Sequence, residues 1–170
     1  TPHILFILVL LLVGALTGAL FGLIPAVLRE KMKINETVVS IMMNYALLYL
    51  ANYIVKTKMY DTEITYMASE QLPMAARLTT LVPGTQIHTG LIIGILAALI
   101  FYRTSLGYSI RICGSNPNFA RTAGIGMTGS LIVAQVLGAT LAGVGGAVDM
   151  MGIYDRYMWT ALTNMGFDGL

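Results

Sequence analysis

The stretch ILFILVLLLVGALTGALFGLIPAVL, residues 4–28, contains no charged side chain in 25 residues. As a helix it rises about 37 Å, enough to cross a hydrocarbon core of about 30 Å. Pro25, near its end, is tolerated in a membrane helix. The rest of the chain agrees with this reading. Of 170 residues, 56% are apolar and 11% charged, with a mean hydropathy of +0.76. Soluble domains are about 25% charged, so too few charges exist here to cover a water-facing surface. Disorder is excluded by the same numbers. A net charge of +2 without a basic run offers nucleic acid no footing. One cysteine, Cys113, excludes an intrachain disulfide and a multi-cysteine metal site. His3 and His88 have no Cys, Asp or Glu at ligand spacing, so neither a metal nor a cofactor is expected. The fold class is therefore all-α, a polytopic transmembrane helix bundle.

Working outward, three further spans follow, at about 37–55, 84–102 and 130–148. The third has an apolar core only from Gly90 to Tyr102 and reaches span length by starting near Pro83. The inner connection after span one carries Arg29, Lys31 and Lys33, and the inner loop 103–129 carries Arg103, Arg111 and Arg121 without an acid. Two spans separate these segments, so they share a side, and the positive-inside rule makes it the cytoplasm. The outer loop 56–88 holds Lys56, Lys58 and Arg77 among acids, with a short surface helix expected within 68–81. No basic region precedes the first span, and that span is too long for a signal-peptide core. The chain reads as part of a longer, multi-pass cell-membrane protein.

Two stripes stand out within the spans. Gly14, Gly18 and Gly22 recur every four residues on one face, where small residues let helix backbones approach closely. Span four offers a matching face of Gly138, Ala142, Gly145 and Gly146. In span two, Ser40, Asn44 and Asn52 form a polar rail beside Tyr45, Tyr49 and Tyr53. Amides are costly against lipid, so this face, with Gln135 of span four, is expected to look into the bundle or a wet cavity. Tyrosines beside amides suit a polar, ring-bearing solute. The competing role for the amides is interhelical hydrogen bonding.

The inner loop contains GSNPNFARTAGI, residues 114–125. Asn116 suits an N-cap, Pro117 a first helical position and Gly124 the residue after a helix end. A punctuated two-turn helix at that place suits a cytoplasmic partner better than a plain connection. Phe119 and Ile125 are its docking side chains. Before span two, Asn35 or Thr37 is expected to cap the helix, with Glu36 favouring its positive end. Cys113 reads as a small loop residue. No catalytic constellation is present, and no Gly-rich loop ending in Lys-Ser or Lys-Thr would bind ATP.

The stretch KINETVVSIMMNY, residues 33–45, resembles a signature of the membrane subunits of ATP-binding-cassette importers. The branch is that for simple sugars and nucleosides, paired with basic-membrane-protein-type lipoproteins, within the branched-chain amino acid and ribose permease superfamily. Residues 107–125 resemble its G-x-x-x-R-x-x-G-x-N-P-x-A-A-R-x-A-G-I pattern, 136–147 its small-residue segment, and 166–170 the opening of a later motif. Phe119 and Gly138 depart from the usual Ala and Ser. The resemblance implies that Gly114, Asn116, Pro117, Ala120, Arg121, Ala123, Gly124 and Ile125 form a coupling helix that meets a cytoplasmic ATP-binding subunit. It also implies an external substrate-binding lipoprotein, a second related permease and hydrolysis in the partner, not in this chain. Family members are about twice as long. Two other readings stand beside it. A self-powered secondary transporter or channel would show intramembrane ionisable residues or broken helices; a scaffold subunit would tolerate changes on the Asn44 and Tyr45 face.

Overall fold

The computed structural model describes residues 2–59, 68–78, 89–154 and 156–158. Six α-helices account for most of them: α1 Pro2–Met32, α2 Glu36–Lys58, α3 Gly90–Arg103, α4 Ser105–Ser115, α5 Pro117–Thr122 and α6 Met127–Gly152. Three of these, α1, α2 and α6, are long and apolar enough to cross a membrane. A fourth crossing exists if α3 and α4, bent by 72° at their junction, count as one broken span.

Each long helix outruns its apolar window because polar residues at the ends continue the hydrogen-bond ladder. The α1 helix carries Arg29 and Lys31 in its last turn and stops where Lys33 takes a left-handed φ of 56°. The α2 helix begins three residues later, at Glu36. Of the two candidate caps, Asn35 performs the task, its Oδ1 accepting from the Thr37 N–H at 2.9 Å.

The tightest contact is between α1 and α6. Gly14 meets Gly143 and Ala147, Gly18 meets Ala139 and Gly143, and Gly22 meets Ala139 and the backbone of Gln135. Numbers rise on one helix as they fall on the other, so the two run antiparallel. A Cβ at Gly14 would stand 2.8 Å from the Gly143 carbonyl oxygen, and one at Gly18 would overlap the Ala139 carbonyl. A Cβ at Gly14 or Gly18 would meet the backbone of α6, and one at Gly22 the Ala139 side chain. On the far side of α1, Ile4, Leu8, Leu12, Leu16 and Leu20 form an exposed rail, each 57–61% accessible. The two rails are offset by two residues, about 200° around the helix. Among the described residues no large side chain is fully buried. A chain this apolar with so little interior has its surface made for lipid and for other helices.

The antiparallel seam fixes the two ends of the molecule. Arg29, Lys31 and Lys33 end α1 beside the start of α6, which α4 and α5 adjoin. At the opposite end, residues 68–78 lie across the helix ends. The Glu70 N–H donates to the Met59 carbonyl at 3.2 Å and the Leu78 N–H to the Met151 carbonyl at 2.9 Å. Ser69, buried, donates its N–H to the Tyr157 carbonyl and accepts the Tyr157 N–H on its Oγ at 3.0 Å. Burial pushes the Tyr157 phenol above its ordinary pKa.

Several expectations need correction. The 68–78 part of the expected surface helix is extended, with a single 3-10 turn at Met74–Ala76, because Pro73 sets its φ to −53° with an extended ψ and the segment spends its N–H groups on α2 and α6; residues 79–81 lie outside the described residues. The inner loop 103–129 is largely helical, since Thr104 caps a new helix immediately after α3. Cys113 is accordingly a buried helical residue of α4 and not a loop residue. The α3 helix, at 14 residues, rises about 21 Å; its expected beginning at 84–88 lies outside the described residues, as do His88 and the 166–170 motif.

Candidate functional site

The α5 segment is defined from both sides by its own residues. Asn116 serves twice: its N–H closes α4 by donating to the Ile112 carbonyl at 2.9 Å, and its Oδ1 accepts the Phe119 N–H at 3.0 Å to open α5. Pro117 sits at the first helical position, where its missing N–H has no partner to lose. At the other end Gly124 adopts φ +73°, the Ile125 N–H donates to the Ala120 carbonyl at 2.9 Å and the Gly124 N–H to the Arg121 carbonyl at 3.1 Å. That pair of bonds is the Schellman closure, and it needs the left-handed residue that glycine supplies without strain.

The predicted contact residues divide by exposure. Gly114, Asn116, Pro117, Arg121, Ala123 and Gly124 face outward, and Phe119 is 53% accessible. Ala120 is fully buried and Ile125 half-buried, so these two seat the helix and do not present it. An apolar ring beside a cation on a short, doubly capped helix is a surface that a protein partner can grip.

The α5 helix rests on α4 and α6, and α4 in turn meets α3 at a joint that sequence reasoning missed. The α3 helix ends in carbonyls that need partners. The Thr104 N–H takes the Ile100 carbonyl at 3.1 Å, the Thr104 hydroxyl takes the Phe101 carbonyl at 3.1 Å, and the Arg111 guanidinium takes the Tyr102 carbonyl at 3.1 Å. The guanidinium also lies over the Tyr102 ring, 4.0 Å from its centre. Gly107 is buried at the inside of the bend, where a Cβ would overlap the Phe101 carbonyl oxygen. Two one-residue joints, Thr104 and Asn116, thus connect α3 to α5. The only sequence signal was the Gly107 and Arg111 pair within the family pattern.

The α2 stripe is mostly uncovered within this chain. Ser40, Asn44, Tyr45 and Tyr49 are all exposed, Tyr49 at 70%. Asn52 is half-buried, and its Oδ1 is shielded with no donor among the described residues. The stripe therefore does not face the interior of this chain. Gln135 lies apart from it, on the α6 face against Gly22.

The small-residue face expected on α6, with Gly138, Ala142 and Gly145, is not the one that meets α1. The contact with α1 runs along Gln135, Ala139, Gly143 and Ala147. Gly138, Ala142 and Gly145 are exposed, and a Cβ at Gly138, Gly145 or Gly146 would meet nothing within 4 Å. Gln135 apart, both rails consist of small residues three or four apart, so composition alone cannot choose between them. Gly145 instead borders a cleft of about 220 Å³ between α3 and α6, lined also by Gly94 and Ala97.

With this geometry, comparison with known proteins is informative. The profile of the family described as "Branched-chain amino acid transport system / permease component" matches residues 2–167. The chain is 29% identical to the guanosine ABC transporter permease protein NupP of Bacillus subtilis, over 94% of this chain and 48% of that protein. It is 29% identical to the nucleoside ABC transporter permease protein NupB of Lactococcus lactis subsp. cremoris, over 99% and 50%. A third relative is the glucose ABC transporter permease protein TsgB13 of Haloferax volcanii, 26% identical over 99% and 48%. The chain spans about half the length of these relatives. No solved structure matches it.

Proposed function

The chain belongs to the branched-chain amino acid transport system permease component family and is a multi-pass protein of the cell membrane, and from that premise we propose that it is part of the permease subunit of an ATP-driven importer for a nucleoside or simple sugar. The α5 helix is the contact for a separate cytoplasmic ATP-binding subunit. The exposed Ser40, Asn44, Tyr45 and Tyr49, with Asn52, line a path completed by helices outside this chain. Gln135, on the α1-facing side of α6, is left out of the path. An external substrate-binding lipoprotein delivers the solute, and a second related permease provides the other half of the passage.

The observation that carries this reading is α5 itself. It is capped at both ends, exposes Phe119 and Arg121, and adjoins the end of the bundle where the basic end of α1 lies. The positive-inside rule assigns that end to the cytoplasm. Nucleosides come first among solutes because the two relatives at 29% identity are named for guanosine and nucleoside transport.

The broken α3–α4 pair does not favour a secondary transporter. Such transporters break helices near the bilayer midplane, whereas this break follows Arg103, at the end of the bundle that holds α5. The test uses the complete permease with its ATP-binding subunit. Phe119→Asp changes only the exposed face, and we expect it to abolish co-purification of the ATP-binding subunit while membrane insertion persists. Retention of that subunit, or uptake of guanosine or glucose driven by an ion gradient without ATP, refutes the assignment.

A further inference from the structure

The geometry points to Arg111 as a positioning residue that locks the angle between α3 and α4, so that movement of α5 is delivered to a membrane-spanning helix. This rests on the reading of α5 as the ATPase contact. A joint of one residue between two helices is a hinge unless something fixes it. Thr104 has an extended ψ of 154°, and α4 leaves the α3 axis by 72°. Of the groups that bridge the joint, the Thr104 hydroxyl reaches one side through the Phe101 carbonyl and the other by accepting the Gly107 N–H at 3.4 Å. Those links lie at the pivot itself and resist rotation weakly. Arg111 acts from two turns along α4, where leverage on the angle is greater.

Its two contacts are complementary. The hydrogen bond to the Tyr102 carbonyl uses the negative end of α3, where a cation is favoured. Stacking on the Tyr102 ring fixes the guanidinium plane, which a lysine ammonium would not do. Gly107 removes the side chain that would prop the joint open. The α4 helix also packs on α6, and it is joined to α5 through Asn116 and packs against it. With the clamp closed, α3, α4 and α5 turn as one piece. With it open, α5 swings on Thr104 and α3 stays still.

The experiment places nitroxide labels at positions 99 and 108 of the complete permease, assembled with its ATP-binding subunit. Both positions are exposed, and Cys113 is buried and will not compete for label. Wild type should give one narrow distance distribution. Arg111→Ala should broaden it, and uptake per ATP hydrolysed, read with guanosine or glucose according to which the wild type imports, should fall about fivefold while the ATP-binding subunit still co-purifies. Arg111→Lys should lie between, since it keeps the charge and loses the stack. An unchanged distance distribution in Arg111→Ala, or an unchanged ratio of uptake to hydrolysis, overturns the proposal. Failure of the coupling reading looks different: Phe119→Asp would keep the ATP-binding subunit, whatever the distances across the joint do.

Discussion

The α1–α6 seam and the α2 helix are both apolar spans of similar length, yet they stand in opposite relations to this chain. Along the seam, backbone meets backbone through Gly14, Gly18 and Gly143, Gly22 meets the Ala139 side chain, and no side chain could be added at these glycines without displacing something. Along α2, the residues with the most chemistry, Ser40, Asn44, Tyr45 and Tyr49, are exposed. One region is finished within the chain, and the other is a half-surface. The contrast teaches that small residues in a membrane helix specify a partner already present, whereas amides and tyrosines left open specify something still to arrive. Substitutions on each side can break or sharpen the contrast.

The largest effect is expected at Gly18. Its missing Cβ would overlap the Ala139 carbonyl, and the Gly143 Cα lies 3.2 Å from the same point. Neither group is the end of a flexible side chain, so neither can turn aside. Gly18→Leu should destabilise the complete permease by roughly 3 kcal/mol, by the usual cost of overpacking. Unfolding by titration with denaturing detergent measures this, and a change below about 1 kcal/mol would mean that the seam is looser than its geometry.

A smaller and more specific effect belongs to Gly22. There the obstructing group is the Ala139 Cβ, a side chain, and not a carbonyl. Gly22→Ala should cost about 1–2 kcal/mol, and Ala139→Gly should restore most of it in the double variant. The same Ala139→Gly change should not rescue Gly18→Ala, whose obstacle is the Ala139 backbone. Equal rescue of both would show that the register of the two helices differs by a turn.

The seam also shows what a sequence makes legible. Four-residue spacing of glycine on α1 declared the face, because only one rail of that helix is small while the opposite rail is Ile and Leu. On α6 the signal was degenerate: Gly138, Ala142 and Gly145 compete with Ala139, Gly143 and Ala147, and the wrong rail was the more glycine-rich one. The caps of α5 were legible because Asn, Pro and Gly act locally, on N–H groups two or three residues away. The α3–α4 joint was not, since Arg111 and Tyr102 are nine residues apart and meet only because the chain bends at Thr104. The helix at 105–115 was passed over for a related reason: its apolar residues are too few to read as a span, and its start depends on one threonine.

On α2 the expected stability effect is smaller still. Asn44→Leu and Tyr49→Leu remove exposed groups, so unfolding should shift by no more than about 0.5 kcal/mol. Uptake of guanosine or glucose by the complete importer should nevertheless fall, because these side chains face the space assigned to the solute. A loss of stability comparable to that of Gly22→Ala would reassign the amides to helix packing and remove them from the path.

The smallest change is predicted for Gly138, and it separates a contact from a resemblance to one. Gly138 lies one residue from Ala139, about 100° around α6, with open space where its Cβ would be. Gly138→Ala should leave the α1–α6 seam untouched and, through the better helix propensity of alanine, raise stability by at most about 1 kcal/mol. The comparison with Gly22→Ala is internal: the same atom is added to the same pair of helices, once into the seam and once beside it. If Gly138→Ala costs as much as Gly22→Ala in the complete permease, a helix from outside this chain packs on that face as closely as α1 packs on the next. The exposed small residues of α6 would then be a second seam, and α6 would be clasped from two sides.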